Sequence, residues 1–82
     1  MNHMKQLSIG KMIRFHRKKS GLSRNALAEI AGIGKTSLFN IENEQGDVRL
    51  DTLLKVMKTL NISLSFDSPL MKLFRESEDE DS

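Results

Sequence analysis

Apolar residues recur at Ile9, Met12, Ile13 and Phe15, with His16 beside them, close to helical spacing, and Gly21 stands where a helix C-terminal glycine belongs. The spacing predicts a first helix over Ile9–Lys19. Ser23 has the hydroxyl of an N-cap, so a second, short helix starts there. It is expected to bury Leu27, Ala28, Ile30 and Ala31 before Gly32 supplies the positive φ of a sharp turn. A third helix begins at Lys35 or Thr36, with Leu38 and Ile41 three apart on an inner face and Asn40 pointing away from it. A polar loop over residues 44–47 contains Gly46, and Leu50, Leu53, Leu54, Met57 and Leu60 then give the strongest helical period in the chain.

The period changes after Asn61. Ile62, Leu64 and Phe66 alternate with Ser63 and Ser65, the two-residue repeat of a half-buried strand. A single strand cannot stand alone, and no other stretch reads as one. The expected partner is therefore the same strand of a second copy across a two-fold axis, which predicts a homodimer joined through Ile62, Leu64 and Phe66. The alternative is an extended tail lying over its own core. Asp67, Ser68 and Pro69 form a turn or helix start, and Leu70, Leu73 and Phe74 share one face of a short helix. Five acidic residues among positions 76–82 read as a disordered end. The chain thus divides into residues 7–66, which fold and dimerise, and residues 67–82, a partner-docking or disordered acidic tail.

With 82 residues there is room for one compact core. The four aromatic residues are all Phe, which suits a small all-helical core better than a β-sandwich. The absence of cysteine excludes disulfides, thiolate metal sites and thiol nucleophiles. Residues 1–6 lack the apolar core of a signal peptide, and no run approaches the roughly 20 apolar residues of a membrane helix, so a soluble, cytoplasmic protein is expected. Charge is unevenly spread. Through Arg49 there are nine Lys and Arg against four Asp and Glu; from Leu50 onward four face seven. The basic half is where a polyanion is expected to dock, although Lys11, Arg14, Arg17, Lys18 and Lys19 also fit a merely solvated helix face.

The second and third helices meet the demands of a helix-turn-helix. Ala28 is small where the helices approach, Gly32 makes the turn, and Ile33, Leu38 and Ile41 bury the inner face. In such a motif the third helix enters the major groove N-terminus first. The residues it presents are Lys35, Thr36, Ser37 and Asn40.

The segments GLSRNALAEIAGIGKTSLFNIEN and LDTLLKVMKTLNISL resemble the Xre/Cro-like helix-turn-helix repressors over roughly residues 9–66. The ungapped spacing from NIEN to SLSF looks most like the HipB-type antitoxins. The resemblance implies a mostly α, lambda-repressor-like bundle and a homodimer joined by its C-terminal strand. It also implies binding to inverted-repeat operators in double-stranded DNA, and a HipA-like serine/threonine kinase toxin as partner. It places Lys35, Thr36 and Asn40 at base-reading positions, Ser37 at a base or phosphate position, and Arg24 and Asn43 at phosphate contacts. Thr36 and Asn40, four apart, face one groove; Lys suits guanine and Asn suits adenine.

Three positions depart from the family pattern. Arg24 replaces the usual Gln at the start of the second helix, keeping a phosphate contact but losing the amide that braces the recognition helix. His16 takes a core position usually held by Leu or Val, and reads as a partly buried neutral ring. Phe39 stands where a small polar residue is common, to touch a thymine methyl or to pack on the loop near Glu44.

Enzyme chemistry finds no support. Gly34, Lys35, Thr36 and Ser37 imitate the end of a phosphate-binding loop, but position 29, where its first glycine belongs, is Glu, and a helix precedes it. His3 and His16 lack neighbours at metal-ligand spacing, and no serine sits in a nucleophile elbow, so neither metal nor cofactor is expected. Glu42 reads as a structural carboxylate braced by an Arg such as Arg17. The expected function is an antitoxin-type autorepressor, with Leu70, Leu73 and Phe74 docking the toxin. A stand-alone regulator is the alternative, and an adaptor that has lost DNA binding ranks third.

Overall fold

A computed structural model describes residues 8–81, without the side chains of 79–81. His3 and the expected domain start at residue 7 lie outside the described residues. Five helices follow one another: α1 Ile9–Lys19, α2 Arg24–Ala31, α3 Lys35–Asn43, α4 Leu50–Thr59 and α5 Met71–Asp81. Ser8 caps α1 by accepting from the Lys11 amide, and Ser23 caps α2 by accepting from Ala26. His16, Arg17, Lys18 and Lys19 crowd the last turn of α1, where positive charge suits the helix dipole. At the far end of α2, Gly32 sits at φ 74°, and the Ile33 amide reaches back 3.0 Å to the Ala28 carbonyl. That left-handed turn ends α2 and redirects the chain into α3.

Helix α1 packs on α3, and α2 packs on both α3 and α4. Between them Ile13, Leu27, Leu38 and Val56 are fully buried, joined by Ala28, Ile41, Met57 and Leu60. One contact in this core is backbone against backbone. A Cβ on Gly10 would lie 2.5 Å from the Glu42 carbonyl oxygen and 2.7 Å from that of Ile41, so α1 approaches α3 as closely as only glycine permits.

Three apolar positions expected on buried faces, Ile30, Leu50 and Leu54, lie outside the core. Ile30 is 63% exposed. At about 100° per residue, the arc shared by Leu27, Ala31 and Ala28 leaves Ile30 on the flank of an eight-residue helix. On α4 the buried side runs through Leu53, Val56, Met57 and Leu60, so Leu50 and Leu54 lie exposed.

The expected strand over residues 62–66 is absent: the described residues contain helices and no strand. A ladder needs a second edge, and this single chain supplies none. Asn61 turns the chain at φ 60°, and Ile62 packs against the chain's own core. The segment that begins the acidic end is helical, with α5 running through Asp81. Its Lys, Leu, Arg and Glu residues are good helix formers, and Lys72 and Glu76 are oppositely charged at helical i,i+4 spacing. No helix among the described residues is long and apolar enough to cross a membrane.

Candidate nucleic-acid interface

The turn at Gly32 and the extended Gly34 N-cap leave the first turn of α3 facing outward. Lys35, Thr36 and Ser37 are all exposed there, and no side chain caps this helix. The free amide end carries partial positive charge, which adds to that of Lys35. Asn40, one turn on, is half-buried. It lines a hollow of about 150 Å³ with Ser37, Arg49 and Thr52 among its other walls. Arg49 and Thr52 carry no local sequence signal for a site; the loop after α3 brings them there. Arg49 forks onto Asp51 at 3.1 and 3.2 Å, and that hydrogen bond lowers the Asp51 carboxyl and raises the Arg49 guanidinium from their ordinary values.

Asn43 is exposed, and its Nδ2 donates to the Phe39 carbonyl at 2.9 Å. Lys35, Thr36, Ser37, Asn40 and Asn43 thus all lie on α3. Arg24 joins them from α2: it lines a second hollow, of about 270 Å³, with Asn25, Lys35, Thr36 and Phe39. Leu64, Phe66, Leu70, Leu73 and Phe74 lie beyond α4 and are exposed, whereas Ile62 is half-buried.

Beneath this surface, Glu42 ties α3 to α1 and α2. Its side chain is 1% exposed and receives Arg17 Nε at 2.7 Å and Nη2 at 3.1 Å. Arg17 also donates to the Leu22 carbonyl at 3.0 Å, tying α1 to the segment that leads into α2. A second arginine shares the carboxylate: Arg24 Nε donates to Glu42 Oε1 at 3.2 Å, while its guanidinium lies 5.4 Å from the centre of the Phe39 ring. Arg24 is therefore braced on one edge and one face. The Phe39 ring lies beneath the Arg24 guanidinium.

Glu44 holds the exit of α3. It adopts φ 53°, and its carboxylate accepts from Ser8 Oγ at 2.6 Å and from the Gly10 amide at 2.9 Å. The Ser8 bond, followed by the Gly10 bond, holds its carboxyl below the ordinary value. The His16 Nδ1 donates to the Met12 carbonyl at 2.7 Å, which gives this half-buried ring a partner within its own helix. Among the described residues no group of three or more His, Cys, Asp or Glu side chains is placed to hold a metal ion.

A family model described as Helix-turn-helix (HTH_3) matches residues 13–66. The transcriptional regulator ImmR of Bacillus subtilis (strain 168) is 35% identical over 60 residues, 73% of this chain and 47% of that regulator. The chain thus spans about half the length of this relative. Among solved structures, SinR in complex with DNA is 41% identical, with a TM-score of 0.61, over 67% of this chain and 89% of that one. A chain of the HipA-HipB-O2-O3 complex has a TM-score of 0.68 over 84% of this chain and 99% of its own, at 20% identity. At that identity the likeness concerns the fold alone. The matched span contains the whole α2-turn-α3 unit with its core partners, and the chain belongs to the Xre/Cro-like helix-turn-helix family, a family of regulators and not of enzymes.

Proposed function

We propose that this chain is a sequence-specific DNA-binding transcriptional repressor that occupies an inverted-repeat operator as a homodimer. The observation that carries the reading is the exposed first turn of α3, with Lys35, Thr36 and Ser37 on an uncapped helix end and Asn40 one turn behind. Presented by a helix-turn-helix, these groups meet base edges. Ser37 and Asn43 supply further contacts to bases or phosphates, and Arg24 adds a cation at the same edge. SinR, solved in complex with DNA, supports this reading at 41% identity.

Two copies pair through the segment after α4, where Leu64 and Phe66 are exposed while Ile62 packs inward. Paired edges there supply the second strand that one chain lacks, and set two recognition helices roughly 34 Å apart. The finer reading is an autoregulating antitoxin of the bacterial cytoplasm, resident on the nucleoid while bound to its operator. In it a HipA-like kinase docks on Leu70, Leu73 and Phe74, which are 55–68% exposed. The fold shared with a chain of the HipA-HipB complex supports it. A regulator without a toxin is the second reading, favoured by the likeness to ImmR.

The test is binding of the full chain to its own upstream region, followed by base-by-base substitution of the protected site. Asn40→Ala is expected to lose discrimination at one half-site position, at a cost of about 1–3 kcal/mol. An unprotected upstream region together with equal affinity for random duplexes would sink the repressor reading. Co-purification with a kinase separates the antitoxin from the stand-alone regulator.

A further inference from the structure

Phe39 is an apolar ring, 42% exposed, on a helix whose outer face is otherwise polar. It stands four residues after Lys35 and three after Thr36, so it shares their side of α3. The Arg24 guanidinium lies over it at 5.4 Å, and its Nε is bound to Glu42. Glu42 is already matched by the buried Arg17, so two arginines on one carboxylate leave one positive charge in excess. That charge sits on the outer member, Arg24, whose side chain is 38% exposed. Its terminal Nη1 and Nη2 donate to nothing among the described residues.

A guanidinium tied through Nε and lying over a ring is restricted in orientation, and its terminal fork stays free for a further planar ligand. Guanine offers two acceptors, O6 and N7, in one plane on its major-groove edge, and this is the pair such a fork matches. The position agrees with that ligand. Arg24 shares a hollow with Lys35 and Thr36, the turn that a helix-turn-helix carries to the base edges, and it lies against a ring that belongs to the recognition helix. The exposed part of the Phe39 ring offers apolar contact to a thymine methyl beside that guanine.

Resting on the DNA-binding reading above, we infer that Arg24 and Phe39 form one recognition unit for a thymine-guanine step. Arg24 takes guanine O6 and N7, and Phe39 takes the methyl of the adjacent thymine. Arg24 is then a specificity-determining residue, where the family resemblance makes it a phosphate clamp.

The test selects duplexes from a random pool with the full chain and then edits the selected site atom by atom. A thymine-guanine step is expected in each half-site. Replacing its guanine by 7-deazaguanine removes N7 and weakens binding about ten-fold or more. Replacing its thymine by deoxyuridine removes the methyl and weakens binding by a smaller factor. Arg24→Lys abolishes the response to 7-deazaguanine, and Phe39→Ala abolishes the response to deoxyuridine. The two base edits on the unaltered protein decide the matter even where a variant folds poorly. The inference is overturned if selected sites lack the step, if neither edit changes affinity, or if Arg24→Lys weakens selected and scrambled duplexes by one factor, as loss of a phosphate contact does. Failure to enrich any duplex overturns the DNA-binding reading as well, so the two failures are told apart.

Discussion

The residues up to Ile62 enclose an apolar core of their own, even though Ile30, Leu50 and others there stay exposed, whereas those after it fully bury none of their large apolar side chains. In the first region Ile13, Leu27, Leu38 and Val56 are fully buried by neighbours in the same chain, and the buried charges of Arg17 and Glu42 satisfy each other. In the second, Leu64, Phe66, Leu70, Leu73 and Phe74 are 49–68% exposed, and the Arg75 contact to the Phe66 carbonyl, at 3.4 Å, is a long one. A region that closes on itself is specified by its own residues. A run of large apolar side chains left in water is specified by what covers it.

The comparison is tested most severely at Glu42. Glu42→Ala leaves Arg17 buried without its counter-charge and is expected to cost about 3–5 kcal/mol, read from urea unfolding. A loss below about 1 kcal/mol would mean that water reaches Arg17 and that the first region is less closed than it looks. A smaller effect is expected at Glu44, where Glu44→Gln keeps an acceptor for Ser8 and Gly10 but removes the charge. The folded-state carboxyl lies below its ordinary 4.5, so the stability that its ionised form adds is present above that value and is lost as pH falls through the lowered one. Melting temperatures of the two proteins should differ at neutral pH and converge in acid; a gap that widens in acid would reverse the sign. The smallest effect on folding belongs to the second region. Leu70→Ser combined with Phe74→Ser should leave unfolding free energy within about 0.5 kcal/mol, and under the proposed antitoxin reading it should also abolish co-purification with a kinase. A loss of about 2 kcal/mol or more would make these side chains part of the core.

The difference between the regions also decides how much was legible in the sequence. The bounds of α1, the Ser23 cap, the turn at Gly32 and the pairing of Arg17 with Glu42 all follow from local spacing and simple charge matching. Ile30 was misplaced because eight residues of α2 define the buried arc only loosely until α3 and α4 fix its rotation. The second tie of Glu42, to Arg24, and the stacking of Arg24 on Phe39 depend on where the start of α2 meets the end of α3. No pattern within either helix contains that meeting. Past Asn61, alternation announced a strand, yet alternation describes faces and not partners, and within one chain the segment has nothing to pair with.

The contact of Gly10 with the carbonyls of Glu42 and Ile41 sets the spacing of α1 and α3 in the manner of a gauge block. Where side chain meets side chain, a neighbour can change rotamer and absorb an error; where backbone meets backbone there is no such slack. The helix that carries Lys35 and Asn40 is thus registered against the rest of the molecule by main-chain atoms. Its exposed residues can be exchanged without moving the frame that presents them, so long as position 10 stays glycine.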